Sequence, residues 1–318
     1  MNASLLKKIC YPYLIFVNGI GDHFLVLPTI RALSTIFNDK LSIICQKGSF
    51  AKDIFREISF NEFIEFEFME DNDGRRRFDS KRLSERISKC DCLISLNPWG
   101  NGLDILDLLN NIEKLKLSIG FYDCFDITIP FNLDIHNIDL NFQIAKSLNS
   151  KLNLNDFSYP PLFETKFQDI IKKNKPINTK LLSVHFDTEN EKMWSKAKFI
   201  SLINNIMNEY DNLIVIPLGL DNKSFIKKME HKNRVLVYEF LPFNIACSYV
   251  AQSDYFIGID SVFLHVADFY RVKGIGIFGP TNPIEFGFRF SNQHYHVRSN
   301  KINSISVNDI HNLFKQLQ

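Results

Sequence analysis

Two apolar runs near the carboxyl end of the chain constrain its fold more than any other feature. Residues 254–259 are followed by Asp260 and Ser261, and residues 273–278 are followed by the small and polar segment 279–283. About one short helix of sequence separates the two runs. This order of strand, loop, helix and strand is typical of a parallel sheet. Ligands bind in the loops after the carboxyl ends of such strands, so we expect the two loops to converge on one small molecule.

The same alternation of strand-like and helix-like segments begins at residues 13–17 and restarts at residue 181. Between them, the pattern weakens over residues 149–176, which contain a Pro-Pro pair and a lysine-rich stretch, and we interpret this segment as a linker. A chain of 318 residues suits two domains. We therefore expect two α/β domains with mostly parallel sheets, joined so that a cleft between them can hold a ligand.

Composition and charge exclude several classes of protein. A hydrophobic content of 45% with 23% charged residues is typical of a soluble globular chain. The net charge of +1 gives no overall attraction to nucleic acid, and the basic run 75–77 is flanked by acidic residues, so no nucleic-acid partner is expected. No apolar run approaches the roughly 18–20 residues of a membrane span. The amino-terminal run lacks a cleavage site, which predicts a cytoplasmic protein.

A glycine-rich turn follows the first predicted strand. Gly19 and Gly21 allow a tight turn and a close approach to a ligand, and Asp22 would lie at the start of the next helix, where the helix dipole favours a carboxylate. A simple glycine turn with an N-terminal capping Asp explains the pattern equally well. Position 24 is Phe24, so the G-x-G-x-x-G dinucleotide fingerprint is absent, and the chain has no G-x-x-x-x-G-K-[ST] phosphate loop.

A second candidate loop follows the strand that begins at residue 181. Thr188 and Lys192 supply a hydroxyl and an ammonium group that suit a phosphate, and Trp194 lies beside them. A lone lysine is more often a solvated surface charge. The same caution applies to His265, one turn into the helix after Ser261, because a single histidine there is more often a core or capping residue.

These segments together resemble glycosyltransferase family 9, the heptosyltransferase family. The resemblance spans residues 14–287 and consists of four blocks in family order: Gly19-Ile20-Gly21-Asp22 with Leu25-x-x-Pro28-x-x-Arg31-x-Leu33, His185…Lys192-x-Trp194, Asp260-Ser261-x-x-x-His265, and Phe278-Gly279-Pro280-Thr281-Asn282-Pro283. It implies the GT-B fold, two Rossmann-like domains facing across a cleft. The acceptor domain is expected over residues 1–160 and the donor domain over 161–302, with a C-terminal helix in 303–318 that could pack back on the first domain.

The resemblance also implies an activity, a metal-independent and inverting transfer of heptose from a nucleotide sugar, ADP-linked in the family, to lipopolysaccharide. No cofactor or metal is expected. The partners would be the nucleotide sugar, a glycan or lipid-linked acceptor and, through that acceptor, the periphery of the inner membrane. By the resemblance Asp22 is the general base on the acceptor, a role that suits a carboxylate. The resemblance implies that Lys192 and the hydroxyls of Thr188 and Ser261 bind the diphosphate and that Asp260 binds the sugar. Gly19 and Gly21 would shape the acceptor-side loop. The full set of implied donor-binding residues is Thr188, Lys192, Asp260, Ser261, Val262, His265, Gly279, Pro280 and Thr281.

Three positions depart from the family pattern. Val262 stands where the family usually has Gly, Ile259 stands where a polar residue is common before the Asp, and Ser195 replaces the Pro after Trp194. A β-branched residue at 262 narrows the backbone freedom beside the diphosphate. Alternatives therefore stay open, namely another nucleotide sugar, a protein or capsule acceptor, or a sugar-nucleotide-binding relative that has lost turnover.

Overall fold

The first unit of the chain is built on a six-stranded parallel sheet. The computed structural model describes residues 3–72, 76–99, 102–163, 169, 171, 175–188, 190–219, 222–238 and 241–318, and the chain divides into the units Met1–Ser158 and Tyr159–Gln318. The strand order of the first sheet is β3-β2-β1-β6-β7-β8. Its strands are β1 (Pro12–Phe16), β2 (Ser42–Gln46), β3 (Phe63–Phe66), β6 (Cys92–Ser95), β7 (Leu117–Gly120) and β8 (Ile127–Thr128), and a separate antiparallel ribbon joins β4 (Met69–Glu70) to β5 (Arg76–Arg77).

Helices connect the strands of the first sheet and supply much of its core. They are α1 (Ala3–Leu6), α2 (Ile20–Ile36), α3 (Ala51–Ile54), α4 (Ser80–Arg86), α5 (Gly102–Asn111) and α6 (Asn137–Leu148), followed by a 3-10 turn at Leu154–Phe157. Every residue of β1 is buried, as its continuous apolar run predicts for a central strand covered on both faces.

The second unit repeats the plan with a five-stranded parallel sheet of order β10-β9-β11-β12-β13. Its strands are β9 (Lys180–His185), β10 (Leu213–Leu218), β11 (Tyr255–Ile259), β12 (Lys273–Phe278) and β13 (His294–Arg298). Its helices are α7 (Lys196–Glu209), α8 (Asn222–Lys227), α9 (Phe243–Ala251), α10 (Val262–Phe269), α11 (Pro283–Phe286) and α12 (Val307–Leu317), with 3-10 turns at Asn190–Lys192, Lys232–Arg234 and Ile302–Ser304.

The closing helix α12 packs its apolar face within the second unit. Ile310, Phe314 and Leu317 are fully buried in the same core as strand residues such as Val184 and Ile257. Its amino end carries a capping box, in which the Ser306 and Asp309 side chains bond each other's backbone N–H groups. The contact of this helix with the first domain, like the domain boundaries, stays a prediction.

The structure confirms the predicted fold of two mostly parallel α/β sheets and corrects several local expectations. Helix α2 begins at Ile20, so Asp22 lies in its first turn, as the glycine turn before a helix predicts. Residues 235–238 have the apolar composition that predicts a strand, but the structure shows there only one isolated bridge, between Val235 and Val215. The charged segment around the basic run 75–77 predicts a solvated loop, but Arg76–Arg77 form strand β5. Arg75 lies outside the described residues.

Candidate functional site

Both sheets have a point where the strand order reverses, and the candidate residues lie there. In the first sheet, β1 lies between β2 and β6, and in the second, β9 lies between β10 and β11. Loops that follow neighbouring strands diverge at such a point and leave a crevice at the carboxyl edge of the sheet, where ligands of α/β proteins bind. The loops after β1 and after β9 and β11 carry the glycine turn and most of the predicted donor residues.

In the first unit, Asp22 is fixed by the amino end of its own helix. Gly19 is the N-cap residue of α2; its N–H donates to Oδ2 of Asp22 over 3.1 Å, and the Asp22 N–H donates to the Gly19 carbonyl over 3.1 Å. A Cβ on Gly19 would lie 3.5 Å from that carboxylate oxygen. Val17, just before the turn, donates its N–H to Oδ1 of the buried Asn97 after β6. A half-buried carboxylate is thus held at the positive end of a helix.

Arg31, part of the amino-terminal motif, has a structural role. Its guanidinium forms a buried ion pair with Glu57, with side-chain exposures of 2% and 8%, and donates to the Phe157 carbonyl over 2.8 Å. These contacts fasten the helix that carries Asp22 to two other segments of the first unit.

In the second unit, His185 at the end of β9 is buried and holds Ser261 after β11. The ring Nδ1 lies 2.9 Å from the Leu218 carbonyl oxygen, and Nε2 lies 3.0 Å from the Ser261 Oγ. Gly258 lies opposite His185 in the sheet, where a Cβ would come within 3.2 Å of the histidine Cβ. The ring of Phe263 packs edge-on against the imidazole at 4.8 Å. Burial lowers the pKa of His185 to about 4, although the Leu218 carbonyl partly opposes this, so the ring is neutral at pH 7.

Lys192 and Asp260 form an ion pair beside this histidine. The Lys192 Nζ lies 3.4 Å from the Asp260 Oδ2, and the two side chains are 30% and 7% exposed. Lys192 ends the 3-10 turn after β9, and Asp260 directly follows β11. The pair therefore joins the two loops at the reversal point and places a partly exposed ammonium where an anion could reach it.

The loop after β12 approaches the same turn. Gly279 is buried, and a Cβ there would come within 3.2 Å of the Glu191 carbonyl oxygen, so the close approach of the two loops favours glycine. The hydroxyl oxygen of Thr281 is buried without a hydrogen-bond partner in the described part of the chain. Pro280 is exposed, and Thr188 is half-buried.

The structure separates binding candidates from core residues. Trp194 is fully buried and donates its indole N–H to the Ile305 carbonyl over 3.1 Å, so it anchors the loop rather than facing a ligand. Ser195 is the N-cap residue of α7, but its side chain makes no capping bond. His265 is buried on α10, and Val262 is the half-buried first residue of that helix.

The geometry therefore gives two pairs, His185 with Ser261 and Lys192 with Asp260, which are connected because Asp260 and Ser261 are adjacent in the chain. Gly279 lies against the same turn as Lys192. Within the described residues, Thr188 is not joined to these side chains by a hydrogen bond or an ion pair. His185 is part of the His185…Lys192-x-Trp194 motif, but the sequence alone assigned no role to it. Its position at the end of a buried strand is the sequence signal that could have marked it as a site residue. The sequence alone did not predict that Asn97 accepts a hydrogen bond from the Val17 N–H. An Asn directly after a predicted strand could have marked it as a candidate, as the histidine position could for His185.

Two further observations concern metals and membranes. Among the described residues, no group of three or more His, Cys, Asp and Glu side chains is placed to hold a metal ion. Within that same part of the chain, no helix has the length and apolarity needed to cross a membrane. Metal independence stays a prediction.

Comparison with known proteins identifies the family. The model of glycosyltransferase family 9 (heptosyltransferase) matches residues 132–316. This chain belongs to that family. It is a glycosyltransferase with two mostly parallel α/β sheets of the GT-B type.

Individual relatives agree with this assignment. The chain is 24% identical over 270 residues to the lipooligosaccharide heptosyltransferase 2 of Campylobacter jejuni, covering 82% of this chain and 78% of the relative. Similar solved structures include a family 9 glycosyltransferase from Veillonella parvula (13% identity, TM-score 0.76, 96% of both chains) and the Escherichia coli ADP-heptose heptosyltransferase II (12%, 0.70, 96% of this chain and 98% of that one). An E. coli heptosyltransferase solved with ADP has 11% identity and a TM-score of 0.69, with 97% of this chain and 100% of that one covered.

Proposed function

We propose that this glycosyltransferase transfers heptose from ADP-heptose to the core of a lipopolysaccharide, without a metal and with inversion at the anomeric carbon. The observation that carries the proposal is the linked group of Lys192, Asp260, Ser261 and His185 at the reversal point of the second sheet. Two relatives support the choice of donor, since one is named a lipooligosaccharide heptosyltransferase and another was solved with ADP.

The donor diphosphate would bind at the amino end of α10 and beside Lys192. Backbone N–H groups at a helix start bind anions, and the helix dipole adds to the attraction. The Lys192 ammonium supplies the positive charge that a metal ion would otherwise provide to the departing diphosphate. In the free protein Asp260 holds this ammonium in place through their ion pair.

Asp22 would act as the general base. The acceptor hydroxyl loses its proton to the Asp22 carboxylate as its oxygen bonds to the anomeric carbon of heptose. The bond between that carbon and the diphosphate oxygen breaks, and its electron pair leaves with ADP. Because the acceptor attacks the face opposite the diphosphate, the anomeric configuration inverts.

A second candidate function rests on Val262. The side chain is half-buried at the first position of α10, where the diphosphate would lie and where the family usually has no side chain. A site reshaped by Val262 is compatible with three alternatives. The protein would use a different nucleotide sugar, transfer to a protein or capsule acceptor, or bind a sugar nucleotide without turnover. Contact with a membrane surface through a lipid-linked acceptor also stays a prediction.

The decisive experiment is transfer from ADP-heptose to a core-truncated lipopolysaccharide extract, followed by mass spectrometry of the product. Asp22→Asn should lower kcat by about 100-fold or more. The matched control is Asp309→Asn, because Asp309 also bonds the N-cap N–H of its helix, here from Ser306 over 3.4 Å, yet has no role in transfer. Near-normal turnover of Asp22→Asn with intact folding would remove Asp22 from the mechanism.

Donor binding is tested separately by calorimetry with ADP-, GDP- and UDP-sugars. Lys192→Ala should raise the donor Kd by at least about tenfold, because a charge-assisted contact is lost. Lys47→Ala is its control, since Lys47 pairs with Glu67 on the surface and both side chains are 64% exposed. Binding of a sugar nucleotide without transfer to any acceptor would favour a relative that has lost turnover.

A further inference from the structure

The hydrogen bond between His185 and Ser261 has a defined direction. The Leu218 carbonyl can only accept, so the His185 Nδ1, 2.9 Å away, carries the ring hydrogen. The ring is neutral at pH 7 because its burial lowers the pKa to about 4. Its Nε2 is therefore an acceptor, and the Ser261 hydroxyl donates its single hydrogen to it over 3.0 Å.

This bond takes Ser261 away from the role that its position would give it. Ser261 is the N-cap residue of α10, and a serine there normally accepts a hydrogen bond from the backbone N–H of the second or third helical residue. Here the side chain makes no capping bond. The hydroxyl is instead directed to His185. The Leu264 N–H donates to the Ser261 carbonyl over 3.0 Å, so the Phe263 N–H is the first-turn group that a rotated Ser261 side chain would cap.

We propose that His185 is a positioning residue that holds the Ser261 hydroxyl off the amino end of α10 and so keeps the Phe263 N–H open for the donor diphosphate. The inference rests on the proposed donor site. It differs from the expectation that the Ser261 hydroxyl itself donates to a phosphate, because the only hydrogen of that hydroxyl is used by His185.

Two substitutions at position 185 separate the two contacts of the imidazole. The amide nitrogen of Asn takes the place of Nδ1, so His185→Asn keeps the bond to Leu218 but does not reach Ser261. Gln reaches further, and its amide oxygen takes the place of Nε2, so His185→Gln keeps an acceptor for the Ser261 hydroxyl. In His185→Asn we expect Ser261 to rotate and cap α10, so the donor has to displace that cap before it binds.

The binding experiment is a double-mutant cycle with ADP as the probe, measured by calorimetry at pH 7.5. His185→Asn should weaken ADP binding about fivefold, which converts to about 1 kcal/mol. His185→Gln should stay within about twofold of wild type. Ser261→Ala completes the cycle because alanine cannot cap, and adding Ser261→Ala to His185→Asn should bring ADP binding back to the affinity of Ser261→Ala alone. A merely structural role for His185 would give no such rescue.

A ligand-free measurement separates this inference from the proposed function. Amide hydrogen exchange at Phe263 should slow in His185→Asn and not in the double variant with Ser261→Ala; the Leu264 amide, which already donates to the Ser261 carbonyl, is the reference. Unchanged exchange, or a loss of ADP binding that Ser261→Ala fails to reverse, would overturn the role of His185 while leaving the donor site in place. If the wild-type protein binds no ADP and the exchange change is still seen, the donor site is wrong and the switch in capping stands.

Discussion

The buried, neutral His185 predicts a specific loss of stability in mild acid. The ordinary pKa of 6.5 applies to the unfolded chain, and burial lowers the folded pKa to about 4. Between these values the unfolded state binds a proton that the folded state excludes, so the free energy of unfolding falls as the pH decreases. One pKa unit corresponds to about 1.4 kcal/mol. The titration of His185 should therefore lower the free energy of unfolding by about 2 kcal/mol between pH 7.5 and pH 5.

The assay is urea unfolding of wild type and His185→Gln at pH 7.5 and pH 5. Glutamine does not titrate, so the variant should lose about 2 kcal/mol less than wild type over this interval. Most carboxylates are still ionised at pH 5. The carboxylates that do titrate affect wild type and His185→Gln equally, so their contribution cancels when the two proteins are compared at the same pH. Hydrogen exchange measured in peptides from the first unit is the internal control, because His185 lies in the second unit. The reasoning is refuted if wild type and variant show the same dependence on pH.

Three further predictions concern contacts that stabilise the fold of the two units. Glu57→Gln should destabilise the first unit by about 3 kcal/mol in urea unfolding, because it leaves the Arg31 charge buried without its partner; a change below about 1 kcal/mol would contradict this. Trp194→Phe should cost the second unit about 2 kcal/mol through a lost hydrogen bond and a small cavity, and an unchanged urea midpoint would speak against the anchor. Ser306→Ala should cost about 1 kcal/mol through its capping bond to Asp309, with faster amide exchange at the start of α12 as the check; Ser306→Thr is the conservative control.

Much of the fold could be predicted because its signals are local. Continuous apolar runs such as residues 255–259 and 273–278 are strands in the structure, since a central parallel strand is covered on both faces and needs no polar alternation. The less regular elements were not predicted from the sequence. Strand β13 is only half-buried and carries two histidines, and β8 has two residues, so neither shows an apolar run.

For the candidate site, the sequence by itself determined which residue types follow each strand: the glycine turn with Asp22, the loop with Lys192, and Asp260 and Ser261. Only the tertiary structure decided their partners. The hydrogen bond from Ser261 to His185 joins residues 76 apart in the chain, and it forms because β9 and β11 are neighbours in the sheet. Apolar periodicity defines a strand but carries no information about which strand lies beside it, so the direction of that bond and the open end of α10 follow from packing alone.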